Sequence, residues 1–231
     1  FYSNNEAETN SIRNNPALAN YQYEGVGYHV LSDSYAGRMI VLPHTGVSST
    51  QCHQLGRNTR VDCNSLPGQG LYVHQDGHRV NINPAMNYSE VLAPAGGTYP
   101  RTECVRDTVT GLVWEGKNAT EPRSSAAVYT YANIPAYVNY VNGIALCGYT
   151  NWRLPTRHEL LSIVHYGIST EPKLHVEWFP NTRADYYWTA SPYVGGTNRT
   201  WVVDFDGGLS HSTGTFANTS QLYVRLVRHE P

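Results

Sequence analysis

The sequence predicts an α+β fold with two short helices and antiparallel strands. Short apolar runs with a period of two, such as "TWVVDFDGG" at residues 200–208, indicate antiparallel strands. A longer stretch predicts a helix at residues 134–143, with Pro135 in its first turn. Its apolar face holds Ile134, Tyr137, Val138 and Val141, at spacings of three and four. A Thr-x-x-Glu pattern at Thr156 and Glu159 predicts the start of the second helix.

The composition is typical of secreted and cell-surface β-rich proteins. Only 15% of the 231 residues are charged, whereas 18 are Tyr. The formal net charge of −2 and the lack of a Lys/Arg run exclude a face for nucleic acid. No stretch approaches the roughly 18 apolar residues of a membrane-spanning helix. The chain begins at Phe1, and we interpret it as the mature form of an extracellular protein whose signal peptide has been removed.

The chain is expected to divide into three segments. Residues 1–20 are polar and Asn-rich and form an extended arm, which its own domain or a neighbouring chain must hold. Residues 21–100 contain short strand-like runs broken by Pro and Gly, and we expect this β- and loop-rich segment to pack on the main domain. Residues 101–231 carry the sharper helix and strand signals and form that main domain.

Four cysteines suit two disulfide bonds in an oxidising compartment. Their spacing favours a bond between Cys52 and Cys63 around the polar loop "CHQLGRNTRVDC", which leaves Cys104 and Cys147 for a second bond. Four cysteines allow three pairings, and four free thiols are a further alternative. A zinc site is not indicated, because no two cysteines have the close spacing of zinc ligand pairs.

The stretch "NWRLPTRHELLSIVHYG" at residues 151–167 is rich in polar side chains that also have structural interpretations. Thr156 and Glu159 form a capping box, and Pro155 favours the extended backbone needed before the cap. Gly167 fits the position past the helix end, where a left-handed backbone is needed. General acid or base catalysis by Glu159 is therefore the weaker interpretation.

Trp152 and Arg153 open this strand-to-helix corner and are also assigned structural roles. We expect the guanidinium of Arg153 to be buried and to donate to carbonyl groups or a carboxylate. His158 and His165 are expected on a solvated face rather than as ligands. The stretch therefore predicts a structural corner and not a reactive site.

In the late strand-like runs "TWVVDFDGG" and "QLYVRLVR", the alternation predicts half-buried antiparallel strands. Trp188 and Trp201 lie in strand-like runs and are expected in the core. Asp204 could pair with a strand arginine such as Arg225.

Five motifs occur in order along the main domain: "RDTVTGLVWE", "GYTNWRLPTRHELLSIVHYG", "FPNTRADYYWTAS", "WVVDFDGG" and "YVRLVR". Together they resemble the Lcl C-terminal domain family, found in the collagen-like adhesin of Legionella and in many bacterial exported proteins. The earlier "LPHTGVSSTQCHQLGRNTRVDC" is similar to a segment often placed upstream in that family, so the resemblance covers residues 42–228. Many members have a cysteine where this chain has Leu226, so the disulfide pairing of this chain differs from that of those members.

The resemblance implies a C-type-lectin-like α+β fold, with two short helices, an irregular antiparallel sheet and long loops. It also implies attachment to sulfated polysaccharide at a surface. The run "RLPTRHE" is also similar to formylglycine-generating enzymes, which use a pair of late cysteines. This chain has no cysteine after Cys147, so we expect no enzymatic activity. Broad capture of polyanions is not supported at a sequence pI of about 6.6, although a few arginines could still contact sulfate.

The long loops between the late strands are the expected ligand surface of such a fold. They combine aromatic rings with planar polar groups, which are the side chains that bind sugars. The candidate ligand-binding residues are Tyr193, Asn198, Arg199, His211 and Asn218. An ordinary exposed loop is the alternative interpretation.

Two groups could bind a metal ion. Asp204 and Asp206 could bind Ca²⁺, because spaced carboxylates in a turn suit a hard cation, although no full calcium-loop pattern follows them. His74, Asp76 and His78 would share one face of a strand, unless an Asp-Gly turn there breaks it. No other cofactor is expected.

The sequence thus predicts a secreted or cell-surface bacterial adhesion module that binds a polysaccharide or a host surface glycan. The alternative is a structural subunit of an extracellular filament or surface assembly, in which residues 1–20 dock on a neighbouring copy. Neither interpretation includes nucleic acid, a membrane span or catalysis.

Overall fold

The computed structural model describes residues 43–53, 60–64, 77, 84–193, 198–212 and 217–229. For His53 and residues 209–212 only the backbone is described. The chain divides after Val41, and the described residues all belong to the unit that follows, Leu42–Pro231. The arm predicted at residues 1–20 lies outside the described residues, as does the metal group predicted at His74, Asp76 and His78.

Short strands form three antiparallel sheets in this part of the chain. They are β1 (Cys52–His53), β2 (Arg60–Val61), β3 (Tyr88–Glu90), β4 (Cys104–Asp107), β5 (Leu112–Glu115), β6 (Tyr186–Pro192), β7 (Thr200–Asp204), β8 (Leu209–Ser212) and β9 (Val227–His229). The sheets have the orders β1-β2, β3-β4-β5-β9 and β6-β7-β8. With the two helices they confirm the predicted α+β fold.

The first helix, α1, spans Ile134–Gly143 and confirms the prediction at both ends. A 3₁₀ turn at Tyr131–Asn133 precedes it, and proline occupies its first turn, where no intrahelical amide bond is lost. The second helix, α2, spans only Arg157–Leu161. It begins at the predicted capping box, in which Thr156 and Glu159 exchange side-chain and main-chain hydrogen bonds.

The β6-β7-β8 sheet separates two apolar cores. Trp188 and Val202 belong to the core that includes α1, whereas Tyr187 and Val203 belong to the core under α2. Since neighbouring residues of a strand point to opposite faces, both faces of this sheet are covered. The prediction of half-buried strands is therefore wrong for β7, where all residues except Trp201 are buried.

The motif "RDTVTG" forms the turn of the hairpin between β4 and β5, and its aspartate and glycine each have a role there. The Oδ1 atom of Asp107 accepts the amide hydrogens of Val109, at 2.9 Å, and Thr110, at 3.0 Å. Gly111 has φ of 72°, a left-handed conformation that glycine adopts without steric cost. The carboxylate thus closes the turn and places the two strands in register.

Both disulfide bonds favoured by the spacing are present. Cys52 and Cys63 link β1 to the segment after β2, and Cys104 and Cys147 link β4 to the turn after α1. All four cysteines are buried. The second bond encloses α1 within a covalent loop, which fixes the helix against the β3-β4-β5-β9 sheet.

Trp152 has the structural role that the sequence predicted for it. Its side chain is buried and its Nε1 donates to the carbonyl oxygen of Leu146 at 3.1 Å. The side-chain amide of Asn142, near the end of α1, bonds both the N–H and the C=O of Trp152, at 2.7 and 3.0 Å. Pro155 is buried as well, and its carbonyl oxygen accepts the amide of Ala190 in β6.

Two details of this corner differ from the predictions. Arg153 makes two hydrogen bonds to the Glu159 carboxylate, at 2.8 and 2.5 Å, but its side chain is 43% exposed rather than buried. Gly167 does not end α2 and has no left-handed backbone. No side chain fits at residue 167, because the backbone of Gly46 lies against it. A Cβ atom there would lie 2.1 Å from the Gly46 carbonyl oxygen.

Candidate ligand-binding surface

One end of the β6-β7-β8 sheet carries two aromatic rings and an arginine, which we call the aromatic–arginine cluster: Arg157, Tyr193 and Trp201. The guanidinium carbon of Arg157 lies 4.4 Å from the centroid of the Trp201 ring. Tyr193 meets the same indole edge to face, with ring centroids 5.4 Å apart. All three side chains are partly exposed, so the cluster combines apolar faces with a charged donor at the surface.

Backbone hydrogen bonds hold the cluster in place. Arg157 is the first residue of α2, and its amide donates to Ser191 Oγ of β6 at 2.9 Å. The amide of Tyr193 donates to the carbonyl oxygen of Arg199 at 3.0 Å, across the end of the β6–β7 hairpin. Arg157 therefore lies at a helix start, Trp201 lies in β7, and Tyr193 directly follows β6.

The two predicted core tryptophans have different environments. Trp188 is fully buried, and its Nε1 donates to the carbonyl oxygen of Tyr129 at 2.8 Å. Trp201 is only partly buried, so its assignment to the core is wrong. Residue Arg157, and not an apolar side chain of α2, lies over the indole.

The structure separates the predicted ligand residues into two groups. Tyr193, Asn198 and Arg199 lie together at the β6–β7 turn, where the last two are exposed and Asn198 has φ of 59°. Asn218 contacts the first residue of β7, where its Oδ1 accepts a hydrogen bond from the Thr200 hydroxyl at 3.3 Å. Its carbonyl oxygen accepts a hydrogen bond from the Tyr131 amide. The side chain of His211 lies outside the described atoms.

The predicted calcium ligands lie at the other end of β7. Asp204 is buried, and its Oδ1 accepts the amide of Asp206 at 2.9 Å. Asp206 is exposed beside Glu171, whose pKa is raised by a hydrogen bond and repulsion from that carboxylate. Within the described ranges no group of three His, Cys, Asp or Glu side chains is arranged to hold a metal ion. Arg225 does not pair with Asp204, because it donates to the Glu115 carbonyl oxygen and to Thr182 Oγ1.

Three histidines from distant parts of the sequence line an open pocket of about 450 Å³, which we call the histidine pocket. They are His44, His165 and His175, and the rings of the last two meet edge to face with centroids 4.6 Å apart. The expectation that His165 lies on a solvated face is therefore wrong, whereas His158 is exposed. Burial, followed by the neighbouring His175 and His44, lowers the pKa of His165 below its ordinary value of 6.5.

These features define a disulfide-bonded α+β protein with a mixed aromatic and cationic surface at one sheet end. Residues 103–228 match the family model of the Lcl C-terminal domain, which covers more than half of the chain. The chain belongs to the Lcl C-terminal domain family, as its motif order predicted. No curated protein matches the sequence.

Family membership indicates a surface- or adhesin-related protein. The two disulfide bonds fit an extracellular location, because such bonds persist in oxidising compartments. Among the described residues, none of the helices has the length and apolar character needed to cross a membrane.

Proposed function

We propose that the protein is an adhesion module that binds glycans through the aromatic–arginine cluster. The observation that carries the proposal is the stack of the Arg157 guanidinium, 4.4 Å from the Trp201 ring, with Tyr193 against the same indole. Sugar rings present C–H groups that pack on aromatic faces and hydroxyl groups that accept hydrogen bonds. The cluster offers both kinds of contact within one small area.

Each side chain has a distinct role in this proposal. Tyr193 and Trp201 pack against the apolar face of a sugar ring, and Arg157 orients the indole while it donates to sugar oxygens. Asn198 and Arg199 are exposed on the adjacent turn and extend the polar contacts along a chain of sugars. A guanidinium donates several hydrogen bonds and accepts none, so it suits the oxygen atoms of sugar hydroxyl groups.

A glycan array probed with the intact, labelled chain tests the proposal. We expect binding to a defined set of glycans, and a loss of at least about tenfold in affinity in Arg157→Ala, since charge-assisted hydrogen bonds contribute about 1.5–3 kcal/mol. Tyr193→Ala should also weaken binding, because it removes an aromatic face on which a sugar ring packs. Arg101→Ala is the matched control, because Arg101 stacks on Trp178 at 3.8 Å in a different part of the surface. The proposal fails if the wild type binds no glycan, or if both arginine variants lose the same affinity.

A further inference from the structure

We propose that the histidine pocket is a pH-sensitive latch, which holds the disulfide-bonded segment 43–53 against the Lcl C-terminal domain at neutral pH and releases it in mildly acidic solution. The pocket shares no residue with the aromatic–arginine cluster, so this inference does not depend on glycan binding. It rests on the contacts that dock the segment, on the chemistry of the three imidazoles and on the charges around them.

Hydrogen bonds join the segment to the loop at residues 165–167. The amide of Tyr166 donates to the carbonyl oxygen of Thr45 at 2.9 Å, and Gln51 Nε2 donates to the carbonyl oxygen of Gly167 at 3.0 Å. The backbone of Gly46 packs directly on the His165 ring, since a Cβ atom at residue 46 would lie 2.4 Å from its Cε1 atom. The imidazole of His165 is thus the surface on which the segment rests.

His44 fixes the conformation of the segment itself. Its Nδ1 atom accepts the amide hydrogen of Gly46 at 3.1 Å, and its own amide donates to the carbonyl oxygen of Pro84 at 2.7 Å. This hydrogen bond shapes the turn that lies over His165.

Among the described groups around His165 and His175, little compensates for added positive charge on His165. His175 Nδ1 lies 3.8 Å from a carboxylate oxygen of Glu177, but the Glu177 side chain is 69% exposed, so solvent screens that pair. Tyr88 meets the ring of His175 edge to face, and burial raises the pKa of Tyr166, so neither phenol supplies a negative charge near neutral pH. Lys173, whose carbonyl oxygen accepts the His165 amide, adds a further cation to the same loop.

The direction of the pH effect follows from the environment of His165. Its pKa is lowered in the docked state, so the released state binds more protons once the pH falls below the ordinary value of 6.5. The segment is therefore most stably docked above pH 6.5, and its docking weakens as the pH falls towards the lowered pKa of His165. The ring of His175 lies against that of His165, with centroids 4.6 Å apart, so a proton gained by His165 is held beside a second imidazole.

Hydrogen–deuterium exchange of the full chain at pH 7.5 and pH 5.0, corrected for intrinsic exchange rates, tests the latch. We expect the protection of a peptide covering residues 44–51 to fall at least tenfold at pH 5.0, relative to a peptide from β5. His165→Gln removes the titrating group and should abolish most of this pH response. His158→Gln is the matched control, since His158 is exposed outside the pocket, and should respond as the wild type does.

A second variant keeps the test decisive if His165→Gln does not fold. His175→Gln removes the neighbouring imidazole and should also flatten the pH response of the segment 44–51. Equal protection at both pH values in the wild type would overturn the proposal. So would an undiminished pH response in a folded His165→Gln or His175→Gln variant.

Discussion

The ammonium group of Lys117 lies 2.9 Å from the carboxylate of Glu115 in the interior of the domain. Both side chains are buried, and the Tyr137 hydroxyl donates to the same carboxylate. Arg123 approaches it at 3.6 Å, while Arg225 donates to the main-chain carbonyl oxygen of Glu115 at 2.6 Å. The buried Glu115 is thus in contact with three cationic residues. It is the centre of a charged network that joins β5 to the segment before β9.

Lys117 should make stability rise in alkaline solution. Burial lowers the pKa of Lys117 from 10.5 to about 8, although the Glu115 carboxylate opposes this shift. Between these two values the unfolded chain holds a proton on Lys117 that the folded chain has lost, so the free energy of unfolding rises with pH. Urea unfolding at pH 7 and pH 9.5 should show this gain in the wild type and its absence in Lys117→Met. An equal pH response in both proteins would contradict the assignment.

Glu115→Gln should be strongly destabilising, because it leaves three buried cations without their central carboxylate. Breaking a buried ion pair in this way costs about 3–5 kcal/mol. Glu103→Gln is the matched control, since Glu103 also bonds Arg123, at 2.6 Å, but its side chain is 31% exposed. We expect the control to cost about 1 kcal/mol or less in urea unfolding. Similar losses in the two variants would show that the network is not organised around Glu115.

Features of the fold that depend on neighbours in sequence could be predicted from the sequence. The start of α1 follows from Pro135, and its buried face follows from the three- and four-residue spacing that ends at Val141. The capping box follows from Thr156 and Glu159, because its two hydrogen bonds join residues three positions apart. Local patterns carry this information because the interacting atoms lie within one helical turn.

Features that join distant segments could not be predicted in this way. The small side chain at Gly167 is required by Gly46, which lies far earlier in the chain. The histidine pocket combines His44 with His165 and His175, and no local pattern relates the first to the others. Arg225 alternates in the sequence as a strand residue should, yet it lies before β9 and is buried beside Phe179 and Thr182. Only tertiary packing brings these distant residues together.

The two disulfide bonds should contribute unequally to stability. The bond between Cys104 and Cys147 spans 43 residues, whereas the bond between Cys52 and Cys63 spans 11. On the chain-entropy model the longer loop contributes about 4 kcal/mol and the shorter about 3 kcal/mol. Thermal unfolding of the two paired Cys→Ala variants should therefore show the larger loss for the 104/147 pair. The reverse order would show that strain or residual structure, and not loop length, sets the contribution of each bond.

The pair of Arg153 and Glu159 should make the corner at α2 sensitive to acid. Burial opposes ionisation of Glu159, but its hydrogen bonds and charge pairing with Arg153, and those with Thr156, lower its pKa below the ordinary value of 4.5. The carboxylate therefore contributes stability that is complete above pH 4.5 and is lost as the pH falls through its lowered pKa in the folded state. Arg153→Gln should destabilise the protein at pH 7, and its difference from the wild type should shrink between pH 5 and pH 3 in urea unfolding. Arg199→Gln, at the exposed β6–β7 turn, is the control whose difference should stay constant over that range. A constant difference for Arg153→Gln as well would mean that its bonds to Glu159 add nothing to the stability of the corner.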